Sequence, residues 1–113
     1  MLALYKDDII LYEESLPKTI EPPTNGSMLK VQAVATKGSF NIQYKVVGRL
    51  HKLGIMKPLI GILDSDGLYY DTMSGSGVYS FDITGYKEIS VIVTTTIGDP
   101  TKIIIVGTIC RDT

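Results

Sequence analysis

Gly77-Val78-Tyr79-Ser80-Phe81-Asp82-Ile83-Thr84-Gly85-Tyr86-Lys87-Glu88-Ile89-Ser90-Val91-Ile92-Val93 is the stretch that decides the fold class. Tyr79, Phe81 and Ile83 fall on one side of an extended chain, with Ser80 and Asp82 on the other. After Thr84-Gly85 the same period of two resumes at Ile89, Val91 and Val93. Side chains of a β-strand alternate between its faces, so the pattern predicts two half-buried strands joined by a Gly-containing corner.

The same period extends towards both termini. Ser27 to Thr36 alternates Leu29, Val31, Ala33 and Ala35 with Lys30, Gln32 and Thr36, and Phe40 to about Leu50 alternates Phe40, Ile42, Tyr44 and Val46 with Asn41, Gln43 and Lys45. With Lys37-Gly38-Ser39 between them, these two segments predict a hairpin. His51 to Lys57 reads as a loop, Pro58 to Leu63 as a short strand, Asp64-Ser65-Asp66-Gly67 as a reverse turn and Leu68 to Met73 as a further strand. Ser74-Gly75-Ser76-Gly77 breaks the chain before the deciding stretch, and Gly98-Asp99-Pro100 turns it into a last strand, Lys102 to Cys110.

Ahead of all this, Leu2 to Tyr5 and Ile9 to Glu13 are apolar segments parted by Lys6-Asp7-Asp8, either a hairpin or one broken edge strand. Ser15 to Gly26, with Pro17, Pro22 and Pro23, reads as a surface crossing, because proline lacks the N–H a ladder needs. The chain therefore divides into an N-terminal arm or edge strand with a Pro-containing connection, residues 1–26, and a β-sandwich domain, residues 27–113. Apolar residues nowhere recur at helical spacing. Seven to nine short strands with turn residues between them predict an all-β, antiparallel sandwich with no substantial helix, in immunoglobulin-like or jelly-roll order.

A chain of 113 residues supplies one core. Its 11 Lys and Arg nearly balance 12 Asp and Glu, with no basic run, which argues against nucleic acid or an anionic membrane surface as partner. Hydrophobic residues make up 44% of the chain, high for so small a domain, and surface shared between subunits is the simplest outlet for the excess. The single cysteine, Cys110, forms no intrachain disulfide. Acidic residues interrupt the first ten positions, so no signal peptide is expected, and the longest apolar run, Ile103 to Gly107, falls far short of the roughly 18 to 20 residues of a spanning helix.

The chemistry-bearing residues are scattered. His51, the only histidine, sits among Arg49, Lys52 and Lys57 in a loop and reads as a surface residue. Asp64-Ser65-Asp66-Gly67 begins like a calcium loop but lacks its later acids, and Gly75-Ser76-Gly77 precedes a strand where a phosphate loop precedes a helix. Asn25-Gly26-Ser27 fits a glycosylation acceptor but reads as a turn. No catalytic residue, metal ligand or cofactor site is expected. Seven tyrosines and no tryptophan leave one feature of interest: Tyr69 and Tyr70 are adjacent, so on a strand they face opposite ways. Tyr69, Tyr70, Asp66 and Asp71 are accordingly the candidate residues for ligand or subunit contact, tyrosine being common at interfaces.

Taken together, Gly26-Ser27-Met28-Leu29-Lys30-Val31-Gln32-Ala33, the run from Gly38 to Leu50, Lys57-Pro58-Leu59, the run from Gly77 to Lys87 and Lys102 to Thr108 resemble a recurring β-sandwich module of tailed-phage and prophage virion proteins. Such modules occur as head decoration, head-fibre or tail-associated domains. The resemblance implies a non-enzymatic structural protein of the virion, made in the host cytoplasm, whose partners are further copies of itself and other virion proteins. It carries over no catalytic residue, and residues 1–26 lie outside it. The alternative from another class is a carbohydrate-binding module that uses an exposed tyrosine of the 69–70 pair.

Overall fold

The computed structural model describes residues 5–13, 16–24, 26–35, 41–97 and 103–111. The expected turns at Lys37-Gly38-Ser39 and Gly98-Asp99-Pro100, with Leu2, Asn25 and Phe40, lie outside the described residues. The fold is all-β. Among the described residues, seven strands of three residues or more, β1 (Tyr5–Glu13), β3 (Gly26–Ala35), β4 (Asn41–Arg49), β6 (Gly61–Leu63), β9 (Tyr79–Asp82), β10 (Glu88–Ile97) and β11 (Ile103–Arg111), are accompanied by four two-residue pieces. These are β2 (Leu16–Pro17), β5 (Lys57–Pro58), β7 (Tyr69–Tyr70) and β8 (Met73–Ser74).

Two antiparallel sheets face each other. The larger has the order β2-β1-β11-β3-β9-β6-β7, and the smaller runs β10-β4-β5 with β8 also on β4. The alternation seen in the sequence is the burial pattern: Leu29, Val31 and Ala33 of β3, Tyr79 and Phe81 of β9, and Ile103, Ile105 and Ile109 of β11 meet Ile42, Tyr44 and Val46 of β4 and Ile89 and Val91 of β10. Ile83, just past β9, is buried with them.

The corner in the deciding stretch does more than reverse the chain. β9 belongs to the larger sheet and β10 to the smaller, so residues 83–87 carry the backbone from one layer to the other. Asp82 Oδ1 accepts the Thr84 N–H at 3.0 Å and Ile83 O accepts the Tyr86 N–H at 3.0 Å. Gly85 sits at φ 82°, in the left-handed region that only glycine enters without strain.

Three expectations are corrected. The segments around residues 27–36 and 40–50 are not a hairpin: β3 pairs with β11 and β9, whereas β4 pairs with β10 in the other sheet. Alternation marks faces, and two consecutive alternating strands satisfy it equally well as ladder partners or as opposing layers. Pro58 to Leu63 is two pieces, β5 on the smaller sheet and β6 on the larger, and Leu68 to Met73 is likewise split between β7 and β8.

The N-terminal segment forms one strand, β1, with Lys6-Asp7-Asp8 within it, and β2 lies outside it at Tyr12 and Glu13. β1 pairs along β11 from Tyr5↔Arg111 to Tyr12↔Ile105. A bulge between Ile10 and Tyr12 places one extra residue on β1, and Leu11 and Tyr12, although adjacent, are both buried in the core. The Pro-containing connection then returns by an isolated bridge, Ile20↔Ile89, to the smaller sheet.

Candidate functional site

The four candidate residues gather at the free end of the larger sheet. β6 and β7 form a hairpin, with Gly61 opposite Tyr70 and Ile62 opposite Tyr69, closed by the turn at 64–67. The turn is pinned from several sides. Leu63 O accepts the Gly67 N–H at 2.8 Å, Leu63 N–H donates to Leu68 O at 3.0 Å, and Asp66 Oδ1 accepts the Leu68 N–H at 2.8 Å.

Tyr69 and Tyr70 do point to opposite faces. Tyr69 is 73% exposed, whereas Tyr70 packs against the core. Tyr70 is also fixed: its hydroxyl donates to Asp66 Oδ2 at 2.7 Å, and its ring meets the Tyr79 ring edge-on at 6.0 Å. Tyr79 in turn lies edge-on to the buried Tyr44 at 6.5 Å, and its hydroxyl accepts the Ser74 N–H at 3.2 Å. A series of three perpendicular rings therefore runs from the core to the surface. The hydrogen bond to Asp66 raises the pKa of Tyr70, because the ionised phenol would have no proton to share with the carboxylate. Ile60, Tyr69, Tyr70 and exposed Asp71 border an open concavity of about 370 Å³.

Beside the turn is a cluster that sequence reading missed. Lys30 Nζ donates to Asp64 Oδ2 at 2.8 Å and to Ser80 Oγ at 3.1 Å, and Ser80 Oγ donates to Asp64 Oδ1 at 2.7 Å. Lys30 and Ser80 are direct cross-strand partners on β3 and β9, some fifty positions apart in the chain. Their alternation showed that both face away from the core; nothing local shows that they are neighbours. The hydrogen bonds from Lys30 and Ser80 hold the Asp64 carboxyl below its ordinary value, which makes it a poorer base for activating the hydroxyl. The arrangement is a surface ion pair that ties the turn to β3 and β9.

The other singled-out residues have structural surroundings. His51 is exposed, and its Nδ1 accepts the Leu53 N–H at 3.0 Å within its own loop. Arg49 reaches Glu88 through Nε and Nη2 and donates from Nη1 to Gly54 O at 3.3 Å, bracing the same loop. Cys110 is a free, buried thiol bordering a second open concavity, about 280 Å³, on the outer face of the larger sheet with Lys30, Gln32, Val78, Val106 and Thr108. Among the described residues no three His, Cys, Asp or Glu side chains converge to hold a metal.

Fold and site together define an antiparallel β-sandwich with open sheet edges and an aromatic cleft at one end. The sequence matches no family model and no curated protein. Among solved structures, the SPBc2 prophage-derived protein YomS shares the fold at a TM-score of 0.78 with 17% identity, over 95% of this chain and 94% of that one. The PBSX exported protein XepA shares it at the same TM-score of 0.78 with 20% identity, over 95% of this chain. The match spans 38% of XepA, so this chain corresponds in fold to one part of that longer protein.

Proposed function

We propose that this chain is a non-enzymatic structural protein of a tailed-phage or prophage virion, made in the host cytoplasm and working through homo-oligomeric assembly with other virion proteins. The observation that carries the reading is the sandwich held in common, nearly end to end, with a prophage-derived protein of similar length. The surface is consistent with assembly. Leu50, Leu53 and Ile55 are 60%, 90% and 80% exposed in a loop held in shape by Arg49 and His51, and Ile10, Ile60, Leu68 and Ile92 are also exposed. Large aliphatic side chains on an ordered loop gain stability when a partner covers them. β2 pairs with β1 only at Tyr12 and Glu13, and the ten-residue β10 is an end strand of the smaller sheet, so among the described residues long stretches of strand edge are open to pairing with another copy.

Mass spectrometry of density-banded particles induced from the source tests the reading. Stoichiometric presence of the chain supports it, and clear absence from intact particles overturns it. Light scattering of the purified protein tests the assembly mode: the wild type is expected to be oligomeric, and the Leu53→Ser, Ile55→Ser double variant of lower mass with an unchanged circular dichroism spectrum. A wild type that is monomeric at all concentrations would remove homo-oligomerisation.

A further inference from the structure

We propose that the concavity bordered by Ile60, Tyr69, Tyr70 and Asp71 is a binding site for a neutral sugar, with Tyr69 as the stacking platform and Asp71 as the acceptor for its hydroxyls. The inference stands apart from incorporation into a virion. A pyranose has one flat C–H face and a rim of hydroxyls, so its recognition calls for an exposed aromatic plane beside a polar acceptor. This end of the sandwich supplies both.

Tyr69 is 73% exposed although it lies in a strand, and Ile60 beside it is 55% exposed. One part of the border is rigid before any ligand arrives: Tyr70 is held by Asp66 at 2.7 Å and by the Tyr79 ring, and the turn before it is closed by three further hydrogen bonds. A wall already fixed by the core spares the ligand the entropy loss of ordering it. The volume of about 370 Å³ is open to solvent, room for one or two sugar rings but no enclosure for a wholly apolar ligand. The bordering residues include a carboxylate and no cation, which disfavours phosphate and other anions. Asp66 is less available than Asp71, because both its oxygens already accept hydrogen bonds.

The test is an amide chemical-shift titration of the ¹⁵N-labelled full chain with maltotriose, cellotriose and the N-acetylglucosamine trimer, each to about 10 mM, which reaches weak single-site affinities. Saturable shifts confined to residues 60–72 are expected with at least one of them. Binding should fall at least tenfold in Tyr69→Ala, persist in Tyr69→Phe, and weaken in Asp71→Asn. Both positions are exposed, so shifts elsewhere in the variants should match the wild type and report an intact fold. No saturable shift with any of the three sugars overturns the proposal, as does undiminished binding in Tyr69→Ala. If residues 60–72 shift instead with protein concentration in the absence of sugar, the surface is a subunit contact and the sugar site is likewise overturned. Because the titration uses purified protein, its failure leaves the particle measurement untouched, and the converse holds.

Discussion

The hydroxyl of Tyr70 donates to Asp66 Oδ2 at 2.7 Å, tying the edge strand β7 to the turn before it. Loss of the phenolic proton would break this bond and place two negative charges side by side, so the folded state holds the proton more tightly than the unfolded chain, where tyrosine titrates near ~10. The associated stability is fully present below about pH 10 and declines as pH rises through the folded-state value. Asp66→Asn is expected to bring the Tyr70 titration, followed by NMR of ring-labelled tyrosine, down towards the ordinary value. Identical titrations in the two proteins would show that the carboxylate has no such role.

Asp64 shows the opposite sign. Hydrogen bonds from Lys30 and then Ser80 favour its charged form, so its folded-state pKa lies below the unfolded one. That stability is present above about pH 4 and is lost as pH falls through the depressed value. Lys30→Met should therefore be less stable than wild type near neutrality, by less than about 1 kcal/mol because the pair is solvent-screened. The gap should narrow as pH falls below the ordinary carboxylate range and close once Asp64 is protonated in both proteins. Urea unfolding across this range measures it, and a gap that is constant with pH would mean that lost packing of the lysine stem explains the variant.

Tyr44 is fully buried, and its hydroxyl has no hydrogen-bond partner among the described residues. Burial, with the neighbouring Tyr79 adding to it, pushes its pKa well above the ordinary tyrosine value. An unpaired buried hydroxyl is unfavourable by about 1–3 kcal/mol. Tyr44→Phe keeps the ring contact with Tyr79 and removes that penalty, so it is expected to match or exceed the wild type by up to about 1 kcal/mol in thermal or urea unfolding. A clear loss of stability would show that the hydroxyl is bonded after all.

Gly61 marks where the chain enters the larger sheet against the buried Phe81. A methyl group there would stand 2.7 Å from two Phe81 ring carbons and 2.9 Å from Met73 Cε. Phe81 and Met73 are both packed in the core and have little room to yield. Gly61→Ala is therefore expected to lose about 1–3 kcal/mol through overpacking, read from denaturant unfolding. On a Phe81→Leu background Gly61→Ala should cost less than it does in the wild type if the clash is its cause; an equal cost in both backgrounds would place the effect in the backbone.

Much of the fold was legible because it is local. Tyr79, Phe81 and Ile83 are buried as their period of two predicted, Gly85 occupies the corner where a left-handed residue was needed, and Tyr69 and Tyr70 divide between surface and core as adjacent strand residues must. The Asp66 bond to Tyr70 was within reach of the same reasoning, since the two are only four positions apart across a turn. The Lys30–Ser80–Asp64 cluster was not, because it depends on β3 lying beside β9.

By itself, then, the sequence determined which residues face inward, that the elements are strands, and where most turns fall. These follow from backbone geometry within a few residues, whatever the strands pair with. Only the tertiary structure decided that β3 and β4 lie in opposite sheets, that residues 57–63 and 69–74 each cross between layers, and that β1 closes the core beside β11. Pairing is chosen by hydrogen bonds and packing between segments far apart in the chain, and an alternating pattern reads the same against any of the available partners.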